Sequence, residues 1–134
     1  MMQAVLQHHL GAVFLVESAG VREELAGRPA NHRSVSCMKE RGVDLSAHVS
    51  RWVGRLDLDQ YQWIVCVGQD EANQVRYLLG SDKTRVIVAN EHQGGIPDPY
   101  ELGLEGYRDC LALLDEVMPH VARRISEAAN MDGL

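Results

Sequence analysis

Residues 63–89, WIVCVGQDEANQVRYLLGSDKTRVIVA, decide the fold of this chain. The stretch begins and ends with short apolar runs, Trp63 to Val67 and Arg85 to Ala89, which are typical of buried strands. Between them, apolar residues three or four positions apart predict a helix over 70–79, ended by Gly80. A strand, a helix and a second strand in this order predict a parallel pair in an α/β fold.

The rest of the chain continues this alternation of helices and strands. Helical spacing of apolar residues predicts a helix over 2–10, and the Val- and Phe-rich run at 12–18 predicts a buried strand. Asn31 is suited to cap a helix that stops at Gly42. A long amphipathic helix is predicted from about 101, kinked or broken at Pro119. These elements predict one domain over 1–134, frayed over about 127–134.

Composition excludes several classes of protein. The chain has 134 residues and a net charge of -6 without a basic stripe, which argues against nucleic-acid binding. No apolar run reaches the ~20 residues that a membrane span needs, and no signal peptide opens the sequence. Three widely spaced cysteines fit reduced thiols in the cytoplasm. Neither a metal site nor a cofactor is expected, because the chain has no C-x-x-C pair and no cluster of histidines.

An ordered set of short motifs resembles the low-molecular-weight protein tyrosine phosphatase family. The set is Ala4 to Leu10 in the first helix, then E-S-A-G at 17–20, G-R-P at 27–29, S-V-S-C-M at 34–38, G-V-D-L-S-A-H at 42–48 and I-P-D-P-Y at 96–100, followed by the long closing helix. The resemblance implies a three-layer α/β/α fold with a mostly parallel sheet. It also implies that Asp98 is the general acid and that Tyr100 lines the mouth of the substrate cleft.

One motif of that family has no counterpart in the chain. The resemblance implies a first strand and a Cys-x5-Arg-Ser loop ahead of the first helix, but Met1 already stands near the start of that helix. Six residues beyond Cys37, Cys66 and Cys110 stand Val43, Ala72 and Glu116, none of them an arginine. A nucleophilic cysteine and an arginine-lined phosphate cradle are therefore both lacking, and general acid catalysis alone supplies only ~10² to 10⁴-fold. We expect these residues to be unable to hydrolyse phosphotyrosine.

Other positions also differ from a phosphotyrosine site. The loop after Gly20 forms a wall of the cleft in the family, and here it carries Glu23 and Glu24, which would repel an anionic substrate. Cys66 is interpreted as an inert buried thiol, and Cys37 and Cys110 as packing residues on helices. His48 and Arg51 admit two interpretations, a small anion site or a surface turn held by hydrogen bonds.

Three roles stay open at this point. The chain could be a non-catalytic binding or interaction protein. It could be the truncated form of an active phosphatase, or of a related arsenate reductase, whose loop is encoded upstream of Met1. A decayed coding sequence that still folds is the third possibility.

The missing strand has consequences for assembly. In the family it lies inside the sheet, and its loss leaves two buried strands without partners, which folded proteins avoid. Either the strand at 12–18 pairs directly with 63–67, or a second chain supplies the pairing, and we expect a homodimer. The first helix would still direct its N–H groups and the α-amino group toward the old phosphate position. This predicts a weak phosphate or sulfate site at that helix end.

Overall fold

A computed structural model describes residues 1–80 and 83–132 of the protein. This part of the chain contains the helices α1 (Met2–Leu10), α2 (His32–Lys39), α3 (Gln69–Leu78) and α4 (Gly103–Asp132), and the strands β1 (Ile64–Cys66) and β2 (Val86–Val88). Single 3-10 turns lie at Glu23–Leu25, Val53–Arg55, Leu58–Gln60, Lys83–Arg85 and Glu91–Gln93.

The strand–helix–strand unit predicted from residues 63–89 is confirmed. β1 and β2 pair in parallel, with Val65 opposite Ile87, and α3 forms the crossover between them. Both strands are shorter than predicted, because pairing covers three residues of each run. The sheet of the described residues therefore has two strands.

Helices cover both faces of this sheet, which confirms the α/β class. One core cluster joins Ile87 and Ala89 to buried residues of α1, α2 and α4, and Val65 packs against it. The other cluster joins Cys66, Val86 and Val88 to the buried face of α3. Alternate residues of each strand thus point into opposite cores, as the pleat of a strand requires. The molecule has three layers, with the sheet in the middle.

Two predictions about helices have clear outcomes. Asn31 caps α2 as predicted, because its side-chain oxygen accepts a hydrogen bond from the backbone N–H of Arg33 at 2.9 Å.

The predicted break at Pro119 is wrong, since α4 continues through that residue. The adjacent Met118 is fully buried, and Leu114 and Val121 pack into the same core cluster. This packing offsets the backbone hydrogen bond that proline cannot donate. α4 ends at Asp132, and the fraying predicted over 127–134 extends beyond the described residues.

The predicted strand at 12–18 does not form. Gly11 to Phe14 make a turn, and the residues after it pair with no strand of the described chain. Side chains of α1 serve this backbone instead: Gln7 donates to the carbonyls of Gly11 and Phe14 and accepts from the N–H of Val16, and Gln3 donates to the carbonyl of Val16. The expectation that this segment moves to pair with 63–67 is therefore wrong.

The edge of β1 that faces away from β2 pairs with no strand among the described residues. In a parallel pair, both backbone groups of alternate residues point to the same neighbour. Cys66 faces β2, since its carbonyl accepts from the N–H of Ala89 at 2.8 Å. The N–H and carbonyl of Val65 therefore point to the opposite, unpaired side. This edge is the place where the sheet can be extended.

Candidate active site

The loop at 90–99, named the acid loop after Asp98, is attached to the end of β1. The N–H of Ile96 donates to the carbonyl of Val67 at 2.7 Å. Asn90 closes the loop, because its side chain donates to the carbonyl of Gly95 at 3.0 Å and its own carbonyl accepts from the N–H of Gly95 at 2.9 Å. Asn90 has a positive φ of 55°, a left-handed conformation that asparagine tolerates better than most residues. The loop is thus held by the sheet and by itself.

Gly95 is required at its position for two reasons. Its φ is 95°, in a region that L side chains rarely adopt. A Cβ atom there would lie 2.3 Å from the carbonyl oxygen of Val67, which is much closer than van der Waals contact. Only glycine allows the loop to approach the end of β1 this closely.

Asp98 begins a tight turn at the outer side of this loop. Its carboxylate accepts a hydrogen bond from the N–H of Tyr100 at 3.0 Å, a local arrangement common for aspartate in turns. Both side chains are exposed, as expected for a residue that meets a ligand and for one at the mouth of a cleft. The predicted roles of Asp98 as the general acid and of Tyr100 as a cleft residue stay predictions.

The acid loop and the start of α1 both lie near Cys110 of α4, and the acid loop also lies near Tyr107. Cys110 lies beneath the loop, with its sulfur 3.9 Å from the carbonyl oxygen of Pro97. Burial raises the pKa of the Cys110 thiol. The charge of the nearby α-amino group of Met1 lowers this pKa, and the charge of Asp98 raises it further. Burial followed by the charge of Asp98 raises the pKa of Tyr107. Asp98 and the start of α1 therefore lie around one point of the fold, marked by Cys110.

Sequence reasoning missed this position of Tyr107 and Cys110. It treated Tyr107 only as one apolar residue of the long helix and Cys110 only as a packing residue. Both are buried, so that interpretation of their packing agrees with the structure. Tyr107 and Cys110 lie three residues apart in the first turns of the helix that follows the acid loop. This helical register was the signal that could have placed both residues beneath the loop.

The first turn of α1 has backbone N–H groups that a ligand could bind. No side chain caps the helix, and its first intrahelical bond runs from the N–H of Val5 to the carbonyl of Met1. The preceding N–H groups have no partner within the helix, as at any helix start. Burial lowers the pKa of the α-amino group, while its proximity to Cys110 and Cys37 has a weaker opposite effect. Desolvation thus disfavours the positive charge on which the predicted anion site depends.

None of the three cysteines has the environment of a nucleophile. All three are free and buried. Burial raises the pKa of each thiol, for Cys66 to about 11. A catalytic cysteine needs the opposite shift, produced by helix N–H groups or nearby cations, because the thiolate is the reactive form. The interpretation of these residues as packing groups agrees with their surroundings.

The loop after Gly20, which the resemblance predicts to be a wall of the cleft, is held by segment 48–53. Ser50 makes four hydrogen bonds to it, two through its backbone, to Gly27 and Arg28, and two through its hydroxyl, to Leu25 and Arg28. Within the loop, Glu24 pairs with Arg22 at 2.8 Å. A hydrogen bond from its own backbone N–H, followed by the contact with Arg22, lowers the pKa of the Glu24 carboxyl. Glu23 is exposed on the same turn. The wall is fixed in place, and part of its negative charge is compensated.

No metal centre is built by the part of the chain that the structure describes, where no three His, Cys, Asp or Glu side chains are placed to share an ion. None of the helices within the described ranges has the length and apolar composition that crossing a bilayer requires.

The described residues thus form a three-layer α/β fold in which the loop that carries Asp98 is held at the end of β1. The family model for low molecular weight phosphotyrosine protein phosphatase matches residues 1–131, so the chain belongs to that family. The low molecular weight phosphotyrosine protein phosphatase of Pongo abelii is 27% identical in an alignment 127 residues long that covers 84% of this chain and 80% of that protein. The probable low molecular weight protein-tyrosine-phosphatase EpsP of Ralstonia solanacearum is 28% identical, over 85% of this chain and 78% of its own length.

A solved structure agrees with the fold. Wzb of Vibrio vulnificus in complex with benzylphosphonate superposes with a TM-score of 0.81 at 26% identity, covering 92% of this chain and 87% of its own. The expected family and fold are confirmed by these similarities.

Proposed function

We propose that residues 1–134 form a non-catalytic member of the phosphatase family, with a role in binding or interaction. The observation that carries this proposal is the state of the three cysteines. Each is buried with a raised thiol pKa, and none is followed six residues later by an arginine. Hydrolysis by a cysteine nucleophile needs a thiolate together with a cradle for the phosphoryl oxygens.

A p-nitrophenyl phosphate assay on this chain tests the proposal. We expect no turnover above the rate of an Asp98→Asn variant, because the acid has no nucleophile to serve. The R. solanacearum relative, prepared in the same way, is the control for the assay. Turnover that Asp98→Asn abolishes would refute the proposal.

A second candidate function is supported by the geometry of the acid loop. Asn90, Gly95 and Val67 hold that loop at the end of β1 without any ligand, so it is already shaped to face a phosphate loop of a longer chain. In this version a longer chain is an active phosphatase, or an arsenate reductase, with the cysteine loop encoded upstream of Met1. The in-frame codons before Met1 decide between the two: Cys-x5-Arg-Ser there supports the enzyme, and an in-frame stop excludes it.

A weak phosphate or sulfate site at the start of α1 also belongs to this proposal. The free N–H groups of the first turn and the helix dipole support it. The lowered pKa of the α-amino group weakens it, because less of the group is charged near neutral pH. Titration with sulfate, followed by NMR of the amides of residues 2–4, is the test, and unchanged shifts up to high concentration would contradict the site.

Finally, we propose that the protein is a cytoplasmic homodimer. Two features support an interface: the edge of β1 at Val65, which is unpaired among the described residues, and the exposed side chains of Val13 (92%) and Leu15 (82%). The three free thiols support a reducing compartment. Light scattering during size exclusion tests the dimer, with Val13→Lys and Leu15→Lys expected to reduce it. A monomeric mass at high concentration would contradict it.

A further inference from the structure

We propose that the cleft between residues 18–20 and residues 48–51 binds a small oxyanion, such as phosphate or a carboxylate. This cleft has a volume of about 230 Å³ and is lined by Ser18, Ala19, Gly20, His48, Ser50 and Arg51. His48 and Arg51, which the sequence only suggested as a pair, therefore share one concave surface. The cleft adjoins the start of α1, since the hydroxyl of Ser18 donates to the side-chain oxygen of Gln3 at 2.6 Å. Its donors His48 and Arg51 come from another segment, and the inference does not depend on the proposed function.

Backbone hydrogen bonds fix the two walls of the cleft against each other. The N–H of Gly20 donates to the carbonyl of Arg51 at 2.8 Å, and the carbonyl of Gly20 accepts from the N–H of Val53 at 2.8 Å. Ser50 is held equally firmly by its four bonds to the loop at 25–28. Fixed walls reduce the entropy cost of binding, because little has to become ordered when the ligand arrives.

Arg51 is oriented by contacts that leave most of its donors available. Its Nη2 atom donates to the carbonyl of Ser18 at 3.1 Å and to the carboxylate of Glu17 at 3.2 Å. Among the described residues these bonds use Nη2 alone, so the N–H groups of Nε and Nη1 are available as single donors on different sides of the guanidinium. Each of them can donate a charge-assisted hydrogen bond to one oxygen of a carboxylate or a phosphate.

The carboxylate of Glu17 would repel an anion in this cleft, but hydrogen bonds already compensate its negative charge. The hydroxyl of Tyr61 donates to its carboxylate at 2.6 Å, and Arg51 donates to the same oxygen. These hydrogen bonds, that of Tyr61 first, lower the pKa of the Glu17 carboxyl, so it stays ionised. The cleft is then close to neutral, and we expect a dissociation constant of about 1–10 mM rather than tight binding.

His48 supplies the second donor. Its backbone N–H donates to the carbonyl of Leu45 at 3.1 Å, which closes the surface turn that the sequence also suggested. The turn and the anion site are therefore compatible, because the turn holds the imidazole in the cleft wall. Either protonation state of the ring offers an N–H donor.

NMR titration with sodium phosphate and sodium acetate, at constant ionic strength set with chloride, tests the inference and separates the two anions. We expect the amides of Ala19 and Gly20 and the Nε–H of Arg51 to shift with saturation. Arg51→Gln is expected to weaken binding at least tenfold, and Arg51→Lys less, because lysine keeps the charge but loses the fixed planar donors. His48→Gln is expected to weaken it a few-fold.

A gain-of-binding variant keeps the test independent of damage to the fold. Glu17→Gln removes the opposing charge and keeps a side-chain oxygen for Arg51, so it is expected to strengthen binding several-fold. No shift in the cleft up to 100 mM anion, or shifts confined to residues 2–4, would overturn the proposal. Equal affinity of the wild-type protein and Arg51→Gln would do the same.

Discussion

Residues 12–18 and residues 63–67 are both short apolar runs, yet only the second becomes a strand. β1 has β2 as a backbone partner and a core on each face. Segment 12–18 has one packed face, formed by Phe14 and Val16, while Val13 and Leu15 are exposed. Its backbone bonds run to the side chains of Gln3 and Gln7. An apolar run thus becomes a strand only where another backbone lies beside it.

Removing one side chain from each region should give the largest contrast. Ile87, opposite Val65 in the sheet, is only 4% exposed, so Ile87→Ala is expected to lower the free energy of unfolding by about 2–5 kcal/mol. Leu15→Ala removes a similar volume from an exposed position and should cost less than about 0.5 kcal/mol. Urea unfolding followed by circular dichroism measures both. Equal losses would show that segment 12–18 is as much a part of the core as the sheet.

The attachment of the acid loop to the end of β1 can be broken at Gly95. Gly95→Ala is expected to cost about 2–4 kcal/mol, because the new Cβ meets the carbonyl of Val67 and the backbone conformation is left-handed. Gly94→Ala is the matched control. Its φ is 85°, but no atom lies within 4 Å of the added Cβ, so it carries only the conformational penalty of about 1 kcal/mol. Identical unfolding curves for the two variants would contradict the close contact.

The pH dependence of stability should report the burial of Cys66 in β1. Its pKa is raised from an ordinary value of 9.0 to about 11, so the folded protein favours the neutral thiol. The stabilisation is complete below pH 9 and is lost as the pH rises toward 11. The loss attributable to Cys66 is on the order of 2 kcal/mol. Unfolding measured from pH 8 to 11 on the wild type and on Cys66→Ala should show a shallower decline in the variant. Parallel declines would mean that the thiol is not desolvated.

The smallest effect is expected at Gln7, whose side chain bonds the backbone of residues 11–16 in place of a neighbouring strand. Gln7→Leu removes three hydrogen bonds to residues 11–16 and should cost about 1–2 kcal/mol, with faster hydrogen exchange at the amide of Val16. Gln74→Leu, at an exposed position of α3, is the control and should change neither quantity. Unaltered exchange at Val16 in Gln7→Leu would show that the segment is held by its packed face alone.

Periodicity and turn residues predicted the four helices, the cap at Asn31 and the parallel pair, because each depends on neighbours close in sequence. Segment 12–18 was wrongly predicted, since its strand needs a backbone partner that local composition cannot reveal. The continuity of α4 through Pro119 depends on burial of Met118 and Leu114 in the tertiary core. At the candidate site, the D-P-Y motif marked Asp98, but its proximity to Cys110 and the start of α1 arises only when α4 folds beneath the loop.

The hydrogen bond from Ile96 to Val67 has a practical consequence for protein engineering. The acid loop takes its shape from the sheet and from Asn90, with no contribution from a ligand. A designer can therefore place new side chains on this loop without first building a ligand contact to hold its shape. The loop is in that sense a preformed turn for grafting.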